Sequence, residues 1–171
     1  MKEVLGKFTT PSPGRRPVVS IEFSKNNFLP RWQHISMMSL MVKSLIASRI
    51  SEVDADNLDF IANELLENCY KFNAIGTVKF DVYYENGKFT LLFSNQIDEK
   101  QMHKLRGFVK TILQSDNPQE LLLSRIEANL ENDTSSSLGL LTLMNDYKVT
   151  LGWEIEPVRN HFYTLLTSAH F

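Results

Sequence analysis

Cysteine is almost absent from this chain of 171 residues, in which Cys69 is the only one. A single cysteine excludes a disulfide within the chain and favours a reducing compartment. Histidine is nearly as scarce, and the 4 histidines are scattered, with no Cys or His pair at the spacing of metal ligands. The sequence therefore predicts neither a disulfide-stabilised fold nor a zinc site.

Long apolar runs and an excess of one charge are also lacking. The longest apolar cluster, MMSLMVKSLIA, is interrupted by lysine and serine, and it is too short and too polar to span a bilayer. No sustained apolar segment precedes the N-terminal prolines, which argues against a signal peptide. The formal net charge is -2 with both signs mixed along the chain. These features predict a cytoplasmic protein that binds neither membrane nor nucleic acid.

What the chain does contain is the composition of a globular domain, 43% hydrophobic and 22% charged. Residues 1–17 are rich in glycine, proline and basic residues, so we expect a flexible lead-in there. Residues 18–171 are enough for a single domain with its own core.

Hydrophobic periodicity predicts the order strand, two helices, hairpin, further helices and a closing hairpin. The Asn86-Gly87 dipeptide is typical of a tight turn, so the strands on either side of it should be antiparallel. Helices set against such strands predict an α+β fold, a two-layer α/β sandwich with helices packed on a mostly antiparallel mixed sheet. The predicted strands are Val18–Phe23, Thr77–Tyr84, Lys88–Asn95, Lys148–Val158 and His161–Phe171. The predicted helices are Leu29–Ile50, a helix from the SEVDAD break to Phe72, Asp98–Gln114, Asn117–Asn132 and Leu138–Tyr147, with a loop at Asn132–Ser137.

The helix that ends at Phe72 carries a stripe of mixed polar chemistry. Glu64, Asn68 and Lys71 fall within about 60° on a helical wheel, at the border of the apolar arc. A carboxylate can deprotonate a hydroxyl group or a water, an amide oxygen can bind Mg²⁺, and a lysine can offset phosphate charge. The stripe is therefore suited to handling a nucleotide phosphate. On spacing alone, an ordinary charged helix face remains the favoured interpretation.

A second segment, Thr134–Ile155, consists of a loop of small polar residues, a helix and a strand. Unpaired N–H groups at the start of a helix can hold a phosphate, and small residues let it approach the backbone. Leu138 and Leu140 would anchor this helix in the core, while Gly139 permits close packing. The alternative is a serine N-cap followed by an ordinary amphipathic helix.

Together the two segments resemble the ATP-binding domain of the GHKL superfamily, which includes histidine kinases and anti-sigma kinases. The N-box pattern of that family, Glu-x-x-x-Asn-x-x-Lys, is matched by Glu64, Asn68 and Lys71. The end of its second glycine box, Gly-Leu-Gly-Leu, is echoed by Ser137–Leu140. The resemblance covers nearly the whole chain from Val18, and it implies a Bergerat-type sandwich.

The resemblance also implies ATP and Mg²⁺ as cofactors and a role for each matched residue. Glu64 would be the general base, Asn68 the Mg²⁺ ligand, and Lys71 a group that approaches the phosphates. The phosphates would be covered by the backbone of Ser136, Ser137, Leu138 and Gly139.

The chain departs from the family in the first glycine box, Asp-x-Gly-x-Gly, because the corresponding stretch LLFSNQIDEKQ has no glycine. The aspartate that reads adenine in the family falls near Asn95. An asparagine accepts a hydrogen bond from the adenine amine without the added strength of a charge, a difference of about 1 kcal/mol. The upstream glycines of the second box are likewise replaced, by Thr134–Ser137.

Two hypotheses of function follow from this resemblance. The chain is similar to small bacterial regulators of the anti-sigma and SiaB-like kind, which implies an ATP- and Mg²⁺-dependent Ser/Thr protein kinase acting on a STAS-type partner. The altered glycine boxes favour the alternative, a non-catalytic GHKL-fold adaptor that binds a receiver or STAS domain. An ATPase chaperone or DNA-repair subunit would need further large domains. Met37 and Met41 on the Leu29–Ile50 helix would suit a homodimer.

Overall fold

The computed structural model describes residues 2–24, 32–115, 120–121 and 136–171. Most of the predicted helix Asn117–Asn132 and of the loop after it lies outside the described residues. The strands are β1 (Glu3–Gly6), β2 (Val19–Ser24), β3 (Ile75–Glu85), β4 (Lys88–Asp98), β5 (Thr150–Pro157) and β6 (Phe162–His170). The helices are α1 (Trp32–Ile46), α2 (Glu52–Phe72), α3 (Glu99–Gln114) and α4 (Ser136–Asn145), with a 3-10 turn at Ala47–Arg49.

The strands form one sheet in the order β1-β5-β6-β4-β3-β2. Every neighbouring pair is antiparallel, so the sheet is more uniform than the mixed sheet predicted from the sequence. The predicted tight turn is confirmed, because Asn86 and Gly87 have φ of 51° and 78° between paired strands β3 and β4. Two hairpins, β3–β4 and β5–β6, form the centre of the sheet and pair with each other through the antiparallel strands β4 and β6.

The helices lie on one face of this sheet, with α2 against β4 and α1 packed on α2. Ser51 caps α2 by accepting a hydrogen bond from the Asp54 backbone N–H at 3.1 Å. The buried side of α2 is the apolar arc predicted from the helical wheel. It comprises Leu58, Ile61, Leu65 and Cys69, and it meets the sheet residues Phe80, Leu91, Phe93 and Ile97 in one core. The predicted α+β two-layer sandwich is confirmed.

The N-terminal segment differs from the flexible lead-in predicted for residues 1–17. Glu3–Gly6 pairs with β5 at the edge of the sheet, and Lys7 N–H donates to Leu151 O at 3.0 Å. Arg106 Nε of α3 donates to Glu3 Oε2 at 2.7 Å. Composition cannot reveal this strand, because it is stabilised by partners that lie far away in the sequence.

After β1 the chain crosses the sheet directly over Gly152 of β5. In Gly152→Ala the added methyl group would overlap the backbone of Lys7 and Phe8, which cannot rotate aside as a side chain can. We expect β1 to detach and the free energy of unfolding to fall by about 1–3 kcal/mol. Denaturant unfolding measures the loss, and hydrogen exchange at the β1 amides measures the detachment.

Gly107→Ala is the matched control, because no atom of the described residues lies within 4 Å of its added methyl group and alanine favours a helix. This variant should be as stable as the parent or slightly more stable. Slow exchange at the β1 amides of Gly152→Ala would contradict the role given to the close contact.

Candidate functional site

The predicted polar stripe of α2 lies beside its buried face. Glu64 and Asn68 are half-buried and Lys71 is exposed, one turn apart along the helix. The apolar side of the helix is fixed in the core, so the points at which these three side chains leave the helix are fixed relative to the sheet. The stripe is the border of a packed helix rather than a fully solvated face.

The carboxylate of Glu64 lies against Gly139 in α4. A methyl group added at Gly139 would overlap Glu64 Oε2 and lie 2.8 Å from Glu64 Cδ. Only a glycine at this position lets the carboxylate rest on the helix backbone. The two segments that carry the sequence motifs therefore meet in space, although they are distant in the sequence.

Burial at this contact raises the pKa of the Glu64 carboxyl, and the negative charge of Glu67 raises it further. A raised pKa brings a carboxylate closer to the range in which it accepts a proton efficiently during catalysis. Glu67 is itself held in place, because Asn63 Nδ2 donates to its Oε1 at 2.9 Å. The arrangement suits Glu64 to the role of a general base.

Asn68 and Lys71 continue the site toward the end of α2. Asn68 Nδ2 donates to the Glu64 backbone carbonyl at 2.8 Å, which orients the amide and leaves Oδ1 as the end that can bind a cation. Lys71 Nζ lies 5.6 Å from the centre of the Phe72 ring. A hard oxygen ligand and an ammonium group therefore follow the carboxylate along one side of the helix.

The helix that meets Glu64 begins at Ser136, two residues earlier than predicted. Ser136, Ser137, Leu138 and Gly139 thus form the first turn of α4, where backbone N–H groups have no partner within the helix. Leu140 and Leu141 are buried and anchor the helix in the core. At its other end Tyr147 stacks on Phe60 of α2, with ring centres 4.6 Å apart.

Asn95 lies on the helix-facing side of β4, between the core residues Phe93 and Ile97. It is 1% exposed, and neither Oδ1 nor Nδ2 has a hydrogen-bond partner within the part of the chain that the structure describes. A buried amide in this condition costs about 1–3 kcal/mol. Buried polar groups are nearly always bonded, so an exception calls for an explanation.

A cleft of about 700 Å³ opens beside these residues. Glu64, Asn68, Lys71 and Gly139 do not line the cleft, but the chain neighbours Phe72 and Leu140 do, so the cleft lies next to the site. Among the lining residues Asp98 is already engaged, as it caps α3 by accepting from Gln101 N–H at 2.7 Å. The apolar lining comprises Phe72, Ile97, Leu105, Phe108, Leu140 and Leu165, and the basic lining comprises Lys100, His103 and Lys104.

This cleft, and the contribution of α3 to it, were not predicted from the sequence. The available signal was the amphipathic pattern of α3, whose basic residues Lys100 and Lys104 recur on one side of the helix. Such a pattern is also typical of an ordinary solvated face. Only the packing of α3 against the ends of β4 and β6 makes it the wall of a cavity.

Within residues 2–24, 32–115, 120–121 and 136–171, no group of three or more Cys, His, Asp or Glu side chains could hold a metal ion. A divalent cation at Asn68 would therefore depend on the oxygens of a bound substrate, as is common for Mg²⁺. Over the same residues, no helix is long and apolar enough to cross a membrane.

Comparison with known proteins gives a structural match alone. No protein-family model matches the chain, and no curated protein matches it in sequence. The chain is similar in structure to a chain of the SiaB–SiaC complex from Pseudomonas aeruginosa, with a TM-score of 0.68 and 12% sequence identity over 91% of each chain. At that identity the similarity shows that the fold is shared.

Replacing Asn95 with leucine tests whether its amide is unsatisfied. Leucine has the branched shape of asparagine without its polar atoms, so Asn95→Leu removes the cost of an unsatisfied amide, and this gain offsets the cost of fitting two larger methyl groups into the core. The free energy of unfolding should change by no more than about 1 kcal/mol. The control is Asn73→Leu, because the Asn73 amide is equally buried but donates to Gly76 O and accepts from Gln96 N–H. That variant should lose about 1–3 kcal/mol. Denaturant titration measures both, and a loss in Asn95→Leu as large as that in Asn73→Leu would mean that the Asn95 amide is bonded.

Proposed function

We propose that this protein is a signalling regulator that binds ATP and Mg²⁺ between α2, α3 and α4 and phosphorylates a serine or threonine of a STAS-type partner. The observation that carries the proposal is the contact of the Glu64 carboxylate with Gly139. It joins the carboxylate–amide–lysine stripe of α2 to the first turn of α4, as a phosphoryl-transfer site of the GHKL type requires. The Ser137–Leu140 echo of the second glycine box supports the same assignment.

Each part of the site has a role in this chemistry. Glu64 would take the proton from the partner's hydroxyl group as its oxygen bonds to the γ-phosphorus and the bond to the β-phosphate oxygen breaks, which leaves ADP. Lys71 and the backbone N–H groups of Ser136–Gly139 would hold the phosphate oxygens. The oriented Oδ1 of Asn68 fits a Mg²⁺ ion, which when bound neutralises phosphate charge.

The cleft fits the rest of a nucleotide. Its size lies within the range of about 300–1,000 Å³ usual for small-molecule sites, and its apolar walls suit a flat base. Lys100 and Lys104 bring positive charge to the cleft of a chain whose formal net charge is -2, which suits a polyanionic ligand. The charge of the lining therefore supports a phosphorylated ligand over a neutral one.

The proposal that this protein binds a partner is supported by its structural neighbour, which is a chain of a two-protein complex. It is also supported by α1, whose outer face exposes Met37, Leu40, Met41 and Leu45. The second candidate function is a non-catalytic adaptor for a STAS or receiver domain. It is favoured by Asn95, because the amide at the position expected to read adenine is covered. On that reading α1 is the contact surface, or the interface of a homodimer, and the cleft has no role in phosphoryl transfer.

Two substitutions test the proposed role of Glu64 through ATP hydrolysis, the reaction in which water replaces the partner's hydroxyl group. Glu64→Gln should lower the Mg²⁺-dependent rate of ADP formation by about 10²–10⁴-fold, because the amide cannot accept the proton. Gly139→Ala should lower it by about 10²-fold, because the methyl group displaces the carboxylate. Both variants should keep the stability and the nucleotide affinity of the parent.

Glu67→Gln is the matched control, since it removes a carboxylate of the same helix that points to Asn63 rather than to α4. It should keep most of the parental rate. Full activity in Gly139→Ala would contradict the proposal, because Glu64 could then work from another position. Equal losses in Glu64→Gln and Glu67→Gln would point to a general effect of charge rather than to a base.

A further inference from the structure

A pair of stacked aromatic rings, Phe60 and Tyr147, joins α2 to the chain just beyond α4, and the proposed transfer of phosphate does not use it. The rings are nearly parallel, with an angle of 12° between their planes and 4.6 Å between their centres. Phe60 is 39% exposed although it is stacked, so the pair is open to solvent. Aromatic residues are enriched at the surfaces where proteins bind their partners.

The pair lies one helical turn from the proposed base. Phe60 precedes Glu64 by four residues in α2, a spacing that places both side chains on the same side of the helix. Val53, two turns before Phe60, lies on that side as well and is 68% exposed. The side of α2 that carries the carboxylate therefore presents exposed apolar groups on its N-terminal part.

The two contacts between α2 and α4 give the site a direction. Glu64 meets Gly139 in the first turn of α4, whereas Phe60 meets Tyr147 just beyond the C-terminal end of α4. Asn68 and Lys71 follow Glu64 in the other direction, toward the C-terminal end of α2. The carboxylate thus lies between the groups proposed to hold the nucleotide phosphates and the aromatic pair.

The geometry of phosphoryl transfer indicates which reactant lies on which side of the carboxylate. The attacking oxygen and the leaving oxygen lie roughly in line, on opposite sides of the phosphorus. Because Asn68 and Lys71 hold the nucleotide on one side, the attacking hydroxyl group comes from the side of Phe60. The base needs that hydroxyl group within hydrogen-bond reach, so the chain that carries it runs over the aromatic pair.

The charge of α2 indicates the chemistry of that chain. The acidic residues of the helix are Glu52, Asp54, Asp56, Asp59, Glu64 and Glu67, and its one basic residue is Lys71. Lys43 of α1 pairs with Asp56 and neutralises only one of these charges. Since the helix keeps an excess of negative charge, a chain that docks along it binds better when it is basic.

We propose that Phe60 and Tyr147 form the docking platform for the partner segment that carries the phosphorylated hydroxyl group, and that this segment is basic, with an apolar residue beside its serine or threonine. The inference rests on the proposed function. It names the surface and the chemistry that select the protein substrate, whereas the proposed function concerns the transfer of phosphate itself.

Two synthetic peptides test the inference, each with a central serine between two leucines, one flanked by arginines and the other by glutamates. With ATP and Mg²⁺, the basic peptide should be phosphorylated about tenfold faster or more, and the difference should shrink at high salt. Phe60→Ser should lower the ratio of peptide phosphorylation to ATP hydrolysis by about tenfold, through a higher KM for the peptide. Phe60→Trp should retain the ratio of the parent, because it keeps a large ring at the platform.

Met37→Ser is the matched control, because it removes a side chain of α1 that is 65% exposed and leaves the aromatic pair intact. It should keep the parental ratio of phosphorylation to hydrolysis, and an equal loss in Met37→Ser and Phe60→Ser would overturn the inference.

The comparison of the two peptides needs no variant, so a failure of Phe60→Ser to fold would not obscure the result. Equal phosphorylation of both peptides, or an unchanged ratio in Phe60→Ser, would overturn the inference and leave the proposed function intact. ATP hydrolysis by the parent without transfer to either peptide would have the same meaning. Absence of both hydrolysis and transfer would overturn the proposed function and the inference together.

Discussion

The candidate site depends on one close contact, in which the Glu64 carboxylate packs against the backbone of α4 at Gly139. The contact is possible because α4 has no side chain at that point. It brings the carboxylate of α2 to the first turn of α4, and burial of the carboxylate raises its pKa. The cleft is lined by Leu140, which follows Gly139 in α4, and by Phe72 at the C-terminal end of α2.

The rigidity of the site comes from the core rather than from the polar residues themselves. Leu58, Ile61 and Leu65 hold α2 on the sheet, and the polar stripe is carried at its border. Functional groups on packed helices are held more accurately than groups on loops. Asn95 represents the opposite case, since its buried amide has no hydrogen-bond partner within the described part of the chain, a condition that lowers stability.

The fold and the α2 part of the site could be predicted from the sequence, because they rest on local signals. The 3.6-residue period placed Glu64, Asn68 and Lys71 at the edge of the apolar face, and Asn86-Gly87 specified the hairpin. Strand β1 and the α3 wall of the cleft were not predicted, because each depends on partners distant in sequence. The Glu3–Arg106 ion pair and the contact of Lys7 with Leu151 leave no trace in local composition.

Binding of ATP in the presence of Mg²⁺ tests the central claim most directly, by calorimetry on the parent protein and on Asn68→Ala. That substitution removes the proposed Mg²⁺ ligand and a single hydrogen bond within the helix, so the fold should persist. The account predicts micromolar affinity in the parent and its collapse in the variant. No binding by the parent at millimolar ATP, or equal binding by both proteins, would contradict it.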